Sequence, residues 1–227
     1  MLFESCVESF EAAVASEAGG AARIELCANL EVGGTTPAAA LVERLVARLG
    51  IPVFAMVRPR GGVFVHTDAE ARAMERDIRV MTAAGARGLV FGALTPDGAV
   101  DAPLMRRLIA AARPLPVTCH KAIDEARDLA EALDTLLALG VDRMLTSGGA
   151  PTAAQGASTI AALVRQADDA LVVMAGGGVR AHNVAELVQA TGVAEVHAHL
   201  TSASTPGEAD PPGRWRHAVA DFVAAMG

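Results

Sequence analysis

The chain has 227 residues, 52% of them apolar, with three cysteines, one Trp, no Tyr and a formal charge of −7 from 19 Lys plus Arg against 26 Asp plus Glu. This apolar content excludes a disordered chain, and no stretch approaches the roughly 18 unbroken apolar residues of a membrane helix. The acidic balance, the lack of a basic cluster and the 3% aromatic content argue against a nucleic-acid surface, and three scattered cysteines exclude a disulfide scaffold.

The opening Met1-Leu2-Phe3-Glu4-Ser5-Cys6 carries neither a basic nor a long apolar run, so no secretory signal is expected and the expected compartment is the cytoplasm, with the thiols reduced. In chain order, short apolar or β-branched runs at 2–7, 22–27, 52–57, 88–91, 115–120, 143–146, 171–175 and 194–197 predict eight strands. Segments of helical period lie between them, among them 68–85 and 126–140, several stopped by a glycine. Eight strand–helix pairs predict an α/β fold, a closed (β/α)₈ TIM barrel forming one domain over 1–227. An open doubly wound sheet would carry a Gly-x-Gly-x-x-Gly after its first strand, and none stands there. The Pro/Gly-rich stretch 202–213 reads as the last loop, ahead of a helix over 214–225.

In such a barrel the C-terminal strand ends form the functional face. Strand one ends Glu4-Ser5-Cys6 and strand two Glu25-Leu26-Cys27. Alternation puts each Glu and its Cys on one face, so two carboxylates and two thiols point into the barrel mouth. Strand three runs into Arg58-Pro59-Arg60, two guanidinium groups expected at the same rim, where forked donors suit carboxylates. Strand five delivers Thr118-Cys119-His120: with His120 inward, Cys119 faces outward as a small apolar filler, and Lys121 turns away from His120. Asp124 is placed to orient His120. Strand six closes Thr146-Ser147-Gly148-Gly149 and strand seven Ala175-Gly176-Gly177-Gly178; in strand eight Glu195, His197 and His199 share the inner face.

Two chemistries fit this set. Glu4, Glu25 and Arg58 can form an ion network that only holds the barrel together. Alternatively Arg58, Arg60, Ser147, Gly176, Gly177, Gly178 and His197 hold a small anionic or phosphorylated substrate. Glu4 or Glu25 then acts as base and His120, oriented by Asp124, as acid. Lys121 is the single lysine beside 18 arginines and reads as compositional bias.

Taken together, Glu4-Ser5-Cys6-Val7, Arg23-Ile24-Glu25-Leu26-Cys27, Gly33-Gly34-Thr35-Thr36-Pro37, Met56-Val57-Arg58-Pro59-Arg60-Gly61-Gly62, Leu145-Thr146-Ser147-Gly148 and Met174-Ala175-Gly176-Gly177-Gly178-Val179 make the chain resemble the CutC copper homeostasis family over nearly its whole length. The resemblance implies a TIM barrel, a cytoplasmic location, homo-oligomers, and Cu(I) bound through Cys6 and Cys27. Copper chemistry agrees: Cu(I) is soft and prefers thiolate, and adjacent strands run about 4.8 Å apart, close to the separation of two sulfurs on one metal ion. The implied partners are thus a copper ion or a small anion, with neither nucleic acid nor membrane.

Overall fold

The computed structural model describes residues 1–200 and 212–227; most of the stretch read as the last loop, 202–213, lies outside them. Strands β1 (Leu2–Val7), β2 (Arg23–Leu26), β3 (Val53–Met56), β4 (Gly88–Phe91), β5 (Val117–Cys119), β6 (Arg143–Thr146), β7 (Val172–Gly176) and β8 (Glu195–Ala198) alternate with helices. These are α1 (Phe10–Gly19), α2 (Ala39–Arg48), α3 (Asp68–Ala83), α4 (Ala102–Ala112), α5 (Leu129–Leu139), α6 (Ala157–Ala167), α7 (Val184–Thr191) and α8 (Pro212–Ala225). Every strand is parallel to its neighbours, and β1 pairs with β8 in the register Leu2↔Glu195 to Ser5↔Ala198, closing a (β/α)₈ barrel. Among the described residues no helix is long and apolar enough to cross a membrane.

Period-two alternation divides each strand between two environments. Outward residues such as Phe3, Ile24, Leu26, Leu89 and Phe91 join the core shared with the helices, and Cys119 is among them, as its phase predicts. Inward, Cys6, Cys27, Phe54, Met56 and Val90 pack as a separate cluster inside the barrel. The barrel is filled because Gly88 has no side chain: a Cβ there would lie 2.4 Å from the Phe54 ring.

Local chemistry sets the helix ends. Thr67 accepts the Glu70 N–H and Glu70 accepts the Thr67 N–H, a capping box that starts α3. Gly20, at φ 102°, ends α1 in the left-handed conformation while its N–H reaches the Ser16 and Glu17 carbonyls. Helix α8 seals the outer wall of β1, with the Phe222 ring 4.5 Å from Phe3 and the Trp215 indole N–H donating to Ser16 Oγ at 2.8 Å.

Candidate functional site

Strand alternation places Glu4 and Cys6 of β1, Arg23 and Glu25 of β2 with Cys27 just beyond it, and Glu195 and His197 of β8 inside the barrel, all of them buried. They form a chain of alternating charge. Arg143 Nε lies 3.1 Å from Glu195 Oε2. Arg23 then bridges Glu195 Oε2 and Glu4 Oε2, each at 2.5 Å. His197 Nδ1 donates to Glu4 Oε1 at 2.8 Å, and its Nε2 stands 3.7 Å from Glu25 Oε2. The last link is sulfur: the Cys27 thiol points to Glu25 Oε2 at 3.5 Å, and the Cys6 and Cys27 sulfurs are 4.0 Å apart and not joined in a disulfide.

The protonation states follow from this order. Burial pushes the Glu4 carboxyl up, but His197 and Arg23 outweigh it and hold the group at about 2. Burial opposes a charge on His197, yet the Glu25 and Glu4 carboxylates and the Cys6 contact raise it well above the ordinary histidine value. Burial raises Glu25 more than His197 lowers it. Contact with Cys27 and burial push the Cys6 thiol well up. Cys27 sits at about 12, because burial and Glu25 outweigh the lowering contact with Cys6. Without a metal the pair is therefore two neutral thiols, which a metal ion would have to deprotonate.

These thiols, Glu25 and His197 form one wall of a cavity of about 260 Å³ at the C-terminal barrel mouth, faced by His120, Lys121, Gly177, Gly178 and Arg180. Cys6, Cys27 and Glu25 offer one atom each within 4.8 Å of one another; the two sulfurs suit a soft metal, and the carboxylate is the hard member of the set. The alternative trio Glu4, Glu25 and His197 is already tied up in the charge chain.

The two expected arginines go elsewhere. The Arg58 guanidinium donates to the carbonyls of Val32 and Gly34, each at 3.0 Å, and of Gly62 at 2.7 Å, so it ties two loops together and pairs with neither Glu4 nor Glu25. Arg60 Nε lies 2.5 Å from Glu70, and its other donors reach the Val63 and Val65 carbonyls. Neither lines the thiol cavity. Glu4's cation is Arg23, which stands two residues before Glu25 and four before Cys27 and so on the same face of the strand; that phase was the signal for it, as it was for Arg143.

Strand five also departs from expectation. Alternation stops at Cys119 because Lys121–Glu125 turns into a 3₁₀ helix, so Lys121 lines the same cavity as His120. Asp124 does not orient His120. It accepts from the Thr146 hydroxyl at 2.5 Å, the backbone N–H groups of Ser147 and Gly149 at 3.0 and 2.9 Å, and Lys121 Nζ at 2.9 Å, which pins the loop after β6. Ser147 Oγ is turned into that knot, 2.7 Å from Lys121 Nζ. His120 Nδ1 instead accepts the Ala122 N–H at 3.2 Å, and burial, with Arg58 nearby, depresses the ring to about 3. Gly176 makes room for Leu145, whose Cδ1 would be 2.5 Å from a Cβ. His199 sits at the cavity lip, its Nδ1 2.9 Å from the Cys6 carbonyl. Arg180, on the opposite wall, lies in a loop that periodicity does not reach.

Comparison with known proteins places this geometry. The CutC family profile matches residues 1–202. The human copper homeostasis protein cutC homolog is 47% identical over 206 residues, 91% of this chain and 76% of that protein. A CutC family protein of Parabacteroides distasonis is 45% identical over 202 residues, covering 88% and 83% of the two chains. The crystal structure of CutC from Streptococcus agalactiae superposes with a TM-score of 0.83 at 36% identity, over 87% of this chain and 97% of that one. An N-(5'-phosphoribosyl)anthranilate isomerase from Pyrococcus furiosus, at TM-score 0.63 and 16% identity over all of this chain and 98% of that one, shares the fold alone. The motifs, the barrel and these relatives agree: the chain belongs to the CutC family.

Proposed function

We propose that this protein binds Cu(I) as cargo through Cys6 and Cys27 and serves copper handling or tolerance in the cytoplasm. The observation that carries the reading is the pair of buried, unbridged sulfurs 4.0 Å apart on the wall of an accessible cavity. Soft Cu(I) selects thiolate over the surrounding carboxylates and guanidinium groups. The copper homeostasis name of the human relative supports the same cargo, and three free thiols suit a reducing compartment.

Anaerobic titration of the reduced protein against a chromogenic Cu(I) chelator tests this. One equivalent per chain is expected, lost in Cys6→Ser and in Cys27→Ser and retained in Cys119→Ser, whose sulfur faces the helix layer. Equal loss in all three variants, or no uptake by the parent protein, overturns it.

A second reading, turnover of a small anion, is favoured by two buried polar atoms without a partner among the described residues, Glu25 Oε1 and His120 Nε2, on residues of the same cavity. In that reading Glu25 is the base and His120 the acid, while Lys121 and Arg180 replace Arg58 and Arg60 as the cations facing the substrate. Thermal-shift screening with phosphorylated and carboxylate metabolites, followed by an assay for conversion of any stabilising ligand, tests it: conversion by the parent protein but not by Glu25→Gln supports turnover, and a panel with no stabilising or converted ligand overturns it.

A further inference from the structure

We propose that Met56 is a third sulfur ligand, completing a trigonal two-thiolate, one-thioether site for Cu(I). This rests on the copper reading above and goes beyond it by adding a ligand and a coordination number.

The argument begins with the separation of the two thiols. At metal–thiolate bonds of about 2.3 Å, sulfurs 4.0 Å apart subtend an angle of about 120° at the metal, whereas linear coordination would need about 4.6 Å. Backbone pairing holds the two thiol-bearing strand ends side by side. Cys6 is in register with Glu25 on the β1–β2 ladder, and the Cys27 N–H is bonded to the Val7 carbonyl at 2.9 Å. A pair held at this angle leaves one equatorial position open.

Nearby oxygen and nitrogen groups suit that position poorly. The Glu25 carboxylate is a hard donor, and both nitrogens of His197 face carboxylates, Glu4 on one side and Glu25 on the other. Met56 is different. The β2–β3 register pairs Leu26 with Ala55, so the next residues, Cys27 and Met56, come level on neighbouring strands with side chains turned inward. Met56 packs with both cysteines in the inner cluster, is only 4% exposed, and lines the cavity. One sulfur thus comes from each of three successive strand ends.

The loop after β2 closes directly on the Cys27 sulfur and on the end of the Met56 side chain. A Cβ at Gly34, which has φ +86°, would lie 3.2 Å from the Cys27 sulfur and 3.5 Å from Met56 Cε. Gly34 therefore lets backbone cover the Cys27 sulfur and the Met56 thioether methyl without a side chain intervening. A flexible, polarisable thioether in that position is a soft ligand as well as a packing group.

Met56→Leu tests the assignment, because the exchange conserves volume and keeps the cluster packed. In the anaerobic chelator competition it should still take up one Cu(I) but at least tenfold more weakly than the parent protein. Copper K-edge absorption should show three sulfurs around the metal in the parent protein and fewer in the variant. With selenomethionine incorporated, a copper–selenium scattering path should appear and vanish in Met56→Leu. Equal affinity with an unchanged copper spectrum, or two-coordinate linear copper in the parent protein, overturns the proposal while leaving the thiol pair standing. Failure of the parent protein to take up Cu(I) overturns the copper reading itself.

Discussion

His120 shows how one buried side chain writes itself into the pH dependence of the whole protein. Its Nδ1 accepts a backbone N–H, so the neutral ring carries its proton on Nε2, and burial with Arg58 nearby keeps it neutral down to about 3 against an ordinary 6.5. The folded value is depressed, so the unfolded chain takes up the proton first. The contribution to stability is present above about pH 6.5 and is lost as the pH falls toward 3. Between pH 6.5 and 5 the loss from this residue is about 2 kcal/mol. Urea denaturation at both pH values should show that loss in the parent protein and a correspondingly smaller one in His120→Gln. Arg58 gives a contrary lesson in reading residues. Its inward phase after Phe54 and Met56 was legible, but its direction was not, because the Val32 and Gly34 carbonyls of a loop distant in sequence, with Gly62 of its own loop, decide where the guanidinium goes.

Among the elements, what could be read in advance was whatever depends on local pattern. The eight strands fall within two residues of the predicted ranges because alternation and flanking turns are properties of the strand itself. Strand five was extended too far because the 3₁₀ turn at Lys121–Glu125 is fixed by distant partners, Asp124 reaching across to Thr146, Ser147 and Gly149. Glu70 both caps α3 and holds Arg60: the capping box is local to Thr67-x-x-Glu70, whereas the arginine comes from the loop ahead of the helix. Helix α8 depends on a residue far from it in sequence. A Cβ on Gly19 would sit 2.6 Å from Val219 Cβ and 2.8 Å from the Arg216 carbonyl. Gly19→Ala should therefore force α8 off α1 and cost about 1–3 kcal/mol. Thermal unfolding, with proteolysis near residue 212 as a second readout, checks this.

On the scale of the whole molecule, the charge chain through the barrel ties β6, β8, β2 and β1 together at their inner faces. Arg23 is its centre: it bonds Glu4 and Glu195 and touches the Met174 sulfur of β7 at 3.4 Å. Its removal would leave two buried carboxylates facing each other, and stripping one partner from a buried pair costs about 3–5 kcal/mol. Arg23→Met should lower the urea midpoint accordingly, and we propose that it does so as a shift of one transition, the barrel unfolding as a single domain. An unchanged midpoint would mean that Arg143 alone satisfies Glu195. The fold class could be read from the number of strand–helix pairs, and the thiol–carboxylate wall from the repeated Glu-x-Cys. Which cation meets which carboxylate could not, because barrel closure brings together residues as distant as Glu4 and His197.

The placement of Trp215 gives the molecule an optical reporter. With no Tyr in the chain and a single Trp, near-ultraviolet emission comes from one fluorophore, whose indole N–H is anchored on Ser16 and whose ring meets His199 edge-on at 5.5 Å. His199 in turn touches the backbone of Cys6. A ligand at the mouth and undocking of the last helix should therefore reach the same chromophore by different routes, the first as quenching and the second as a red shift, so one spectrum can separate the two.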